Sequence, residues 1–75
     1  MKGPRARAMR SELEAAIRDE IERRGWTQVE AGDYLGVTQP SISRIRRADG
    51  SSASLDRLVD MASDLSLKVH VQIER

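Results

Sequence analysis

Apolar residues recur along this chain at helical spacing in four stretches and switch to strict alternation near its end. That pattern predicts four helices and then one strand. Leu13, Ala16, Ile17 and Ile21 form one stripe, so a helix is predicted to open at Ser11 and end at Gly25. Ser11 and Glu14 have the spacing of a capping box, in which hydroxyl and carboxylate each satisfy a backbone N–H of the first turn. Thr27 and Glu30 repeat that signature, and Gln28, Ala31, Gly32 and Leu35 share a face behind it. Two of those four are tiny, which lets another helix cross closely. Gly36 stands where a helix ends in the left-handed conformation that glycine adopts without steric cost. Val37 plugs the corner, Thr38 is a good N-cap, and Pro40 falls in a first turn, where its missing N–H has no helical acceptor to lose. Ile42 and Ile45 point inward from this third helix, and Arg46 and Arg47 end it, where cations suit the helix dipole. Asp49-Gly50 marks a turn and Ser51-Ser52-Ala53 a linker. Ser54 caps a fourth helix with Leu55, Leu58, Val59, Ala62 and Leu65 inward.

From Leu67 to Glu74 apolar and polar residues alternate without a break, the signature of a half-buried strand. A single strand leaves a row of backbone donors and acceptors unpaired. Pairing with the same strand of a second copy, about a two-fold axis, satisfies them and makes Leu67, Val69, Val71 and Ile73 a dimer contact. A frayed tail, or a strand added to another protein's sheet, are the alternatives. The predicted fold class is therefore mainly α: a four-helix domain over 11–75 whose C-terminal strand, 66–74, pairs across a homodimer. A basic, flexible tail over 1–10 is expected to precede it.

The second and third helices, joined by a three-residue corner with polar and basic residues on the outer side, have the layout of a helix-turn-helix. That device places one helix in the major groove of DNA. Gln39, Pro40, Ser41, Ser43 and Arg44 are the candidate base contacts: glutamine pairs bidentately with adenine, and arginine with guanine O6 and N7. Thr27, Gln28, Thr38, Arg46 and Arg47 are the candidate phosphate contacts, which set register and carry little sequence information. A symmetric pair of such helices implies an inverted-repeat operator with half-sites roughly 34 Å apart. An ordinary helical hairpin with a solvated basic face has the same composition. So does a protein-interaction module that keeps the shape without binding DNA.

Composition narrows the picture. The chain has 75 residues, no phenylalanine and a single Trp and Tyr, Trp26 and Tyr34. Its core must be thin and aliphatic, a condition that dimerisation commonly relieves. Without cysteine there is no disulfide framework and no thiolate metal site. No apolar run has the length of a membrane span and no signal peptide is evident, so no membrane partner and a cytoplasmic location are expected. Net charge is only +1, but its distribution is uneven. Lys2, Arg5, Arg7 and Arg10 precede the first acid, Arg44, Arg46 and Arg47 form a second group, and the acids gather in the first and fourth helices. A basic face beside an acidic back steers a molecule onto phosphates. The N-terminal group reads equally as a solubilising tail or as a DNA-contacting arm. His70 stands alone, and Asp56, Asp60 and Asp64 read as a solvated helix face. Neither a phosphate-cradling loop nor a nucleophile–base pair is present, so no enzyme, cofactor or metal is expected.

The stretch G-W-T-Q-V-E-A-G-D-Y-L-G-V-T-Q-P-S-I-S-R-I, Gly25 to Ile45, resembles the xenobiotic-response-element (Cro/C1-type) family of helix-turn-helix regulators. The layout from Met9 onward is similar to small antitoxins of the HigA type, whose helical core is closed by a C-terminal strand. The resemblance implies a DNA-binding repressor of its own operon, bacterial or phage-encoded and nucleoid-associated, with Gln28 as the glutamine that holds the DNA backbone. It also implies a partner, an RNA-cleaving toxin of the HigB/RelE sort; a stand-alone phage- or plasmid-type regulator is the alternative. The chain departs from the family at Gly32, where Ala is usual, at Val29, where a polar residue is usual, and at Trp26, where Leu is usual.

Overall fold

The computed structural model describes residues 4–67, which form four helices: α1 (Pro4–Arg23), α2 (Gln28–Leu35), α3 (Gln39–Arg47) and α4 (Leu55–Asp64). α1 lies across α3 and α4, and α2 packs on α3. Between them sits one aliphatic core of Ile17, Ile21, Ala31, Leu35, Ile42, Ile45, Leu58, Met61, Ala62 and Leu65. Leu13, Trp26, Val37, Ala53 and Leu67 pack against its rim. Leu55 and Val59, expected inward, are half-buried, and Ala16, expected on the inner stripe of α1, is exposed.

The first helix corrects the sequence reading. It begins at Pro4 rather than Ser11, so residues 4–10 belong to the folded domain instead of preceding it. Proline suits a helix start because its fixed φ is already helical and its absent N–H has no partner there. The buried stripe runs backward from Ile17 through Glu14 to Ala6, with Leu13 and Arg10 half-buried beside it. A carboxylate, an arginine and an alanine disguise that stripe as surface. Ser11 is consequently in mid-helix and caps nothing; its hydroxyl donates to the carbonyl of Ala48, beyond the end of α3.

The other caps form as the residues dictate. Thr27 accepts from the Glu30 N–H at 3.1 Å while Glu30 Oε1 accepts from the Thr27 N–H at 2.9 Å, a complete capping box. Ser54 accepts from the Arg57 N–H at 3.3 Å. α3 ends on Ala48 with φ 52°, a left-handed position that a Cβ occupies at some cost.

A second polar cluster ties the carboxyl end of α4 to the rest. Arg24 donates from Nε to Glu20 at 2.7 Å and from Nη2 to the Leu65 carbonyl at 3.2 Å. Its guanidinium carbon lies 5.0 Å from the ring centroid of Trp26 and 5.7 Å from that of Tyr34. The Tyr34 hydroxyl donates to the Asp64 carbonyl at 3.3 Å. The carbonyls of Asp64, the last residue of α4, and of Leu65, its C-cap, are thus satisfied by side chains from α2 and from the residue after α1. The Arg23 and Arg24 hydrogen bonds hold the Glu20 carboxyl down to about 2.

After α4 the chain turns through Ser66 at φ 60°, and Leu67 donates its N–H to the Ala62 carbonyl at 2.9 Å. Leu67 packs onto the core. Val69, Val71, Ile73 and the alternating stretch that contains them lie outside the described residues.

Candidate nucleic-acid interface

The corner between α2 and α3 is built from backbone constraints. Gly36 takes φ 70°, and the N–H of Val37 donates to the Gly32 carbonyl at 2.9 Å. The turn returns so closely that a Cβ on Gly32 would stand 2.7 Å from the Val37 carbonyl oxygen. Thr38 then caps α3, accepting from the Ser41 N–H at 3.3 Å, with Pro40 in the first turn. Ile42 and Ile45 anchor the helix to the core, both fully buried. This anchoring fixes which side of α3 faces out.

That outer side carries a shallow, open depression lined by Gln39, Pro40, Ser43, Arg44 and Arg47. Gln39, Pro40, Arg44 and Arg47 are exposed and Ser43 is half-buried. Arg44 makes no hydrogen bond or ion pair with the described residues, so its planar donor fork is open to a ligand. Gln28 joins the cluster from α2. Its side-chain oxygen accepts from Ser43 Oγ at 3.0 Å and from Gln39 Nε2 at 3.5 Å, so it braces two residues of the face. Its own amide N–H groups stay available.

Five of the ten residues singled out from sequence come together in the depression, and Gln28 adjoins them. The remaining four sit elsewhere. Thr27 and Thr38 have hydroxyls engaged in caps, and Ser41 pairs its hydroxyl with Thr38 at 3.0 Å. Arg46 points to a small separate cleft between α1 and the corner, shared with Arg18, Glu22, Trp26 and Gln28. The sequence marks the loop that follows α3 as a turn and linker but does not show the side chains of α1 that grip it. There Glu14, fully buried, accepts from the N–H groups of Gly50 at 2.6 Å and Ser52 at 3.0 Å and from the Ser52 hydroxyl. Beside it, Arg7 Nε donates to the Asp49 carbonyl at 2.8 Å and Arg10 Nε to that of Gly50 at 2.9 Å. The Ser11/Glu14 spacing carried a signal, but it imitates a cap; nothing local shows that the partners lie across the fold.

Electrostatically the face is cationic with one interruption. The Asp49 carboxyl is held below its ordinary range, first by the Ser51 hydroxyl and N–H and then by the charges of Arg7 and Arg47. It therefore stays ionised at neutral pH between two arginines. Glu12, Asp19 and Glu22 are exposed along α1. Among the described residues no helix is long and apolar enough to cross a membrane.

No curated protein matches this sequence. A family model described as helix-turn-helix domain does match it, over residues 1–74, nearly its whole length. With Gly36 at the corner, capped helices on both sides of it and an open basic face on the second, the chain belongs to that helix-turn-helix domain family.

Proposed function

We propose that this protein is a sequence-specific repressor that lays α3 in the major groove of an inverted-repeat operator and acts by binding, without catalysis. The observation that carries the reading is the outer face of α3. Gln39 and Arg44, both of side-chain types able to make bidentate base contacts, share one open depression with Ser43 and Arg47. Gln39 reads adenine and Arg44 reads guanine. Gln28 serves the backbone through its free amide while its oxygen holds Gln39 and Ser43 in place. Arg47, and Arg46 beside it, neutralise phosphates.

Selection of binding sites from random duplexes tests the whole reading. The expected product is an inverted repeat with one dominant guanine assigned to Arg44. Arg44→Ala is expected to cost about 1–3 kcal/mol and to relax choice at that base pair alone. A selection that enriches nothing, or an unchanged preference in the variant, overturns it.

The antitoxin role is the finer form of the same proposal. Its support is the HigA-like layout, with a helix-turn-helix core followed by an alternating apolar stretch, and the acidic outer side of α1 as a surface for a basic toxin. Co-expression with the neighbouring gene tests it: growth arrest relieved by this protein supports an antitoxin, and no effect on growth leaves a stand-alone regulator.

A further inference from the structure

We propose that the amino-terminal half of α1 carries a second DNA-backbone site, in which Arg7 and Arg10, together with Arg47 of α3, hold phosphates outside the half-site that α3 reads. The inference rests on the DNA-binding reading above and extends it to a segment whose sequence resembles a tail. Three consecutive carbonyls leaving α3 turn toward α1. Ala48 accepts from the Ser11 hydroxyl, Asp49 from Arg7 Nε at 2.8 Å and Gly50 from Arg10 Nε at 2.9 Å. Glu14 grips the N–H groups of the same loop. Gly50, at φ 83°, lets the two segments close, since a Cβ there would come within 2.7 Å of the Arg7 carbonyl oxygen.

Among the described residues each arginine therefore binds through Nε alone. The terminal amino groups of both guanidiniums keep their donors, and a fork already fixed at one corner loses less freedom when it meets an anion. Arg7 is exposed and Arg10 is half-buried, so the two stand as a ridge on the surface and not as a loose tail. Arg7 holds the Asp49 carbonyl, two residues beyond Arg47, and Arg47 lines the depression on α3. The ridge thus adjoins the carboxyl end of α3 through the Asp49 and Gly50 carbonyls, and no acid precedes Glu12 on α1. Planar, paired donors set along an extension of a groove-reading helix match the oxygens of phosphodiesters. The loop clamp also ties the ridge to the carboxyl end of α3, so the two sites bind in one register.

The test is the salt dependence of binding to the selected operator and to a random-sequence duplex. In the Arg7→Gln/Arg10→Gln double variant, the slope of log K against log salt is expected to fall by about 1 per arginine, with half-site preference unchanged. Arg7→Lys/Arg10→Lys, which keeps the charges, is expected to retain most of the slope. An unchanged slope in the glutamine variant, or an equal loss in the lysine variant, overturns the proposal and leaves the arginines as loop clamps only. Phosphate ethylation interference with the unaltered protein gives a reading free of folding effects: interference beyond each half-site supports the ridge, and interference confined to the half-site refutes it. Failure of the unaltered protein to bind any duplex sinks the DNA-binding reading itself, which separates the two failures.

Discussion

Two buried carboxylates hold this small domain together in different ways, and each makes a distinct prediction. Among the described residues Glu14 pairs with no cation; it accepts two backbone N–H groups and a hydroxyl from the loop after α3. Glu14→Ala leaves those N–H groups under the helix without an acceptor, and the penalty for such orphaned donors exceeds the small gain in helix propensity. Urea unfolding is expected to show a loss of about 2–3 kcal/mol. Glu20 is held by Arg23 and Arg24, and its carboxyl stays ionised down to about 2 where the ordinary value is 4.5. Between those two values the unfolded chain binds more protons than the folded one, so stability rises with pH across that window. The contribution of Glu20 is complete above pH 4.5 and gone once pH falls through 2. Glu20→Gln removes that segment of the acid-unfolding curve, so the variant's stability is expected to change less over the window than the parent's. A parallel pair of curves contradicts the assignment.

At the scale of elements, the caps and the corner were legible because their signals act over three or four residues. Thr27 with Glu30, Gly36, Thr38 and Pro40 each stand where local chemistry demands them. The start of α1 was not legible for the opposite reason. Ser11 and Glu14 have capping-box spacing, yet their partners are 37 and 36 residues away in the chain. Arg10 and Glu14 on the inward side likewise broke the apolar stripe that would have extended the helix back to Pro4. In the candidate site, residue type and helical phase placed Gln39, Ser43, Arg44 and Arg47 together, whereas the separate cleft of Arg46 depends on how α1 crosses and has no local signature. Gly32 shows the same limit with a measurable consequence. From propensity alone an alanine there stabilises α2 by about 1 kcal/mol. The structure opposes this, because the new Cβ meets a backbone carbonyl at 2.7 Å, and displacing it opens the corner. Overpacking of that kind costs about 1–3 kcal/mol, so Gly32→Ala is expected to lose about 1 kcal/mol net. Faster amide exchange at Val37, whose N–H bonds the Gly32 carbonyl, locates the damage.

For the whole molecule, the central question is how a thin core and a net charge of +1 combine with the proposed operator binding. The described helices supply one recognition face, with Arg7 and Arg10 of α1 bound to the loop just beyond Arg47. One face of this size is a weak reader, and the remedy open to this chain is duplication. The alternation from Leu67 to Glu74 predicts a strand with one apolar side, and we propose that its edge pairs with the same edge of a second copy. A dimer joined there is a ruler. In the proposed pair the two α3 helices lie a fixed distance apart, roughly one turn of DNA. Inserting half a helical turn between the half-sites carries one of them to the far side of the duplex, and affinity is expected to drop to that of a single half-site. A full-turn insertion restores the facing but not the distance, so recovery is expected to be partial. Val71→Asp places a charge among the apolar positions of the predicted strand. That variant is expected to sediment as a monomer, bind weakly and lose all sensitivity to spacing, with α3 unaltered. Equal affinity of the unaltered protein for every spacing excludes the strand-joined pair, whatever its affinity for one half-site.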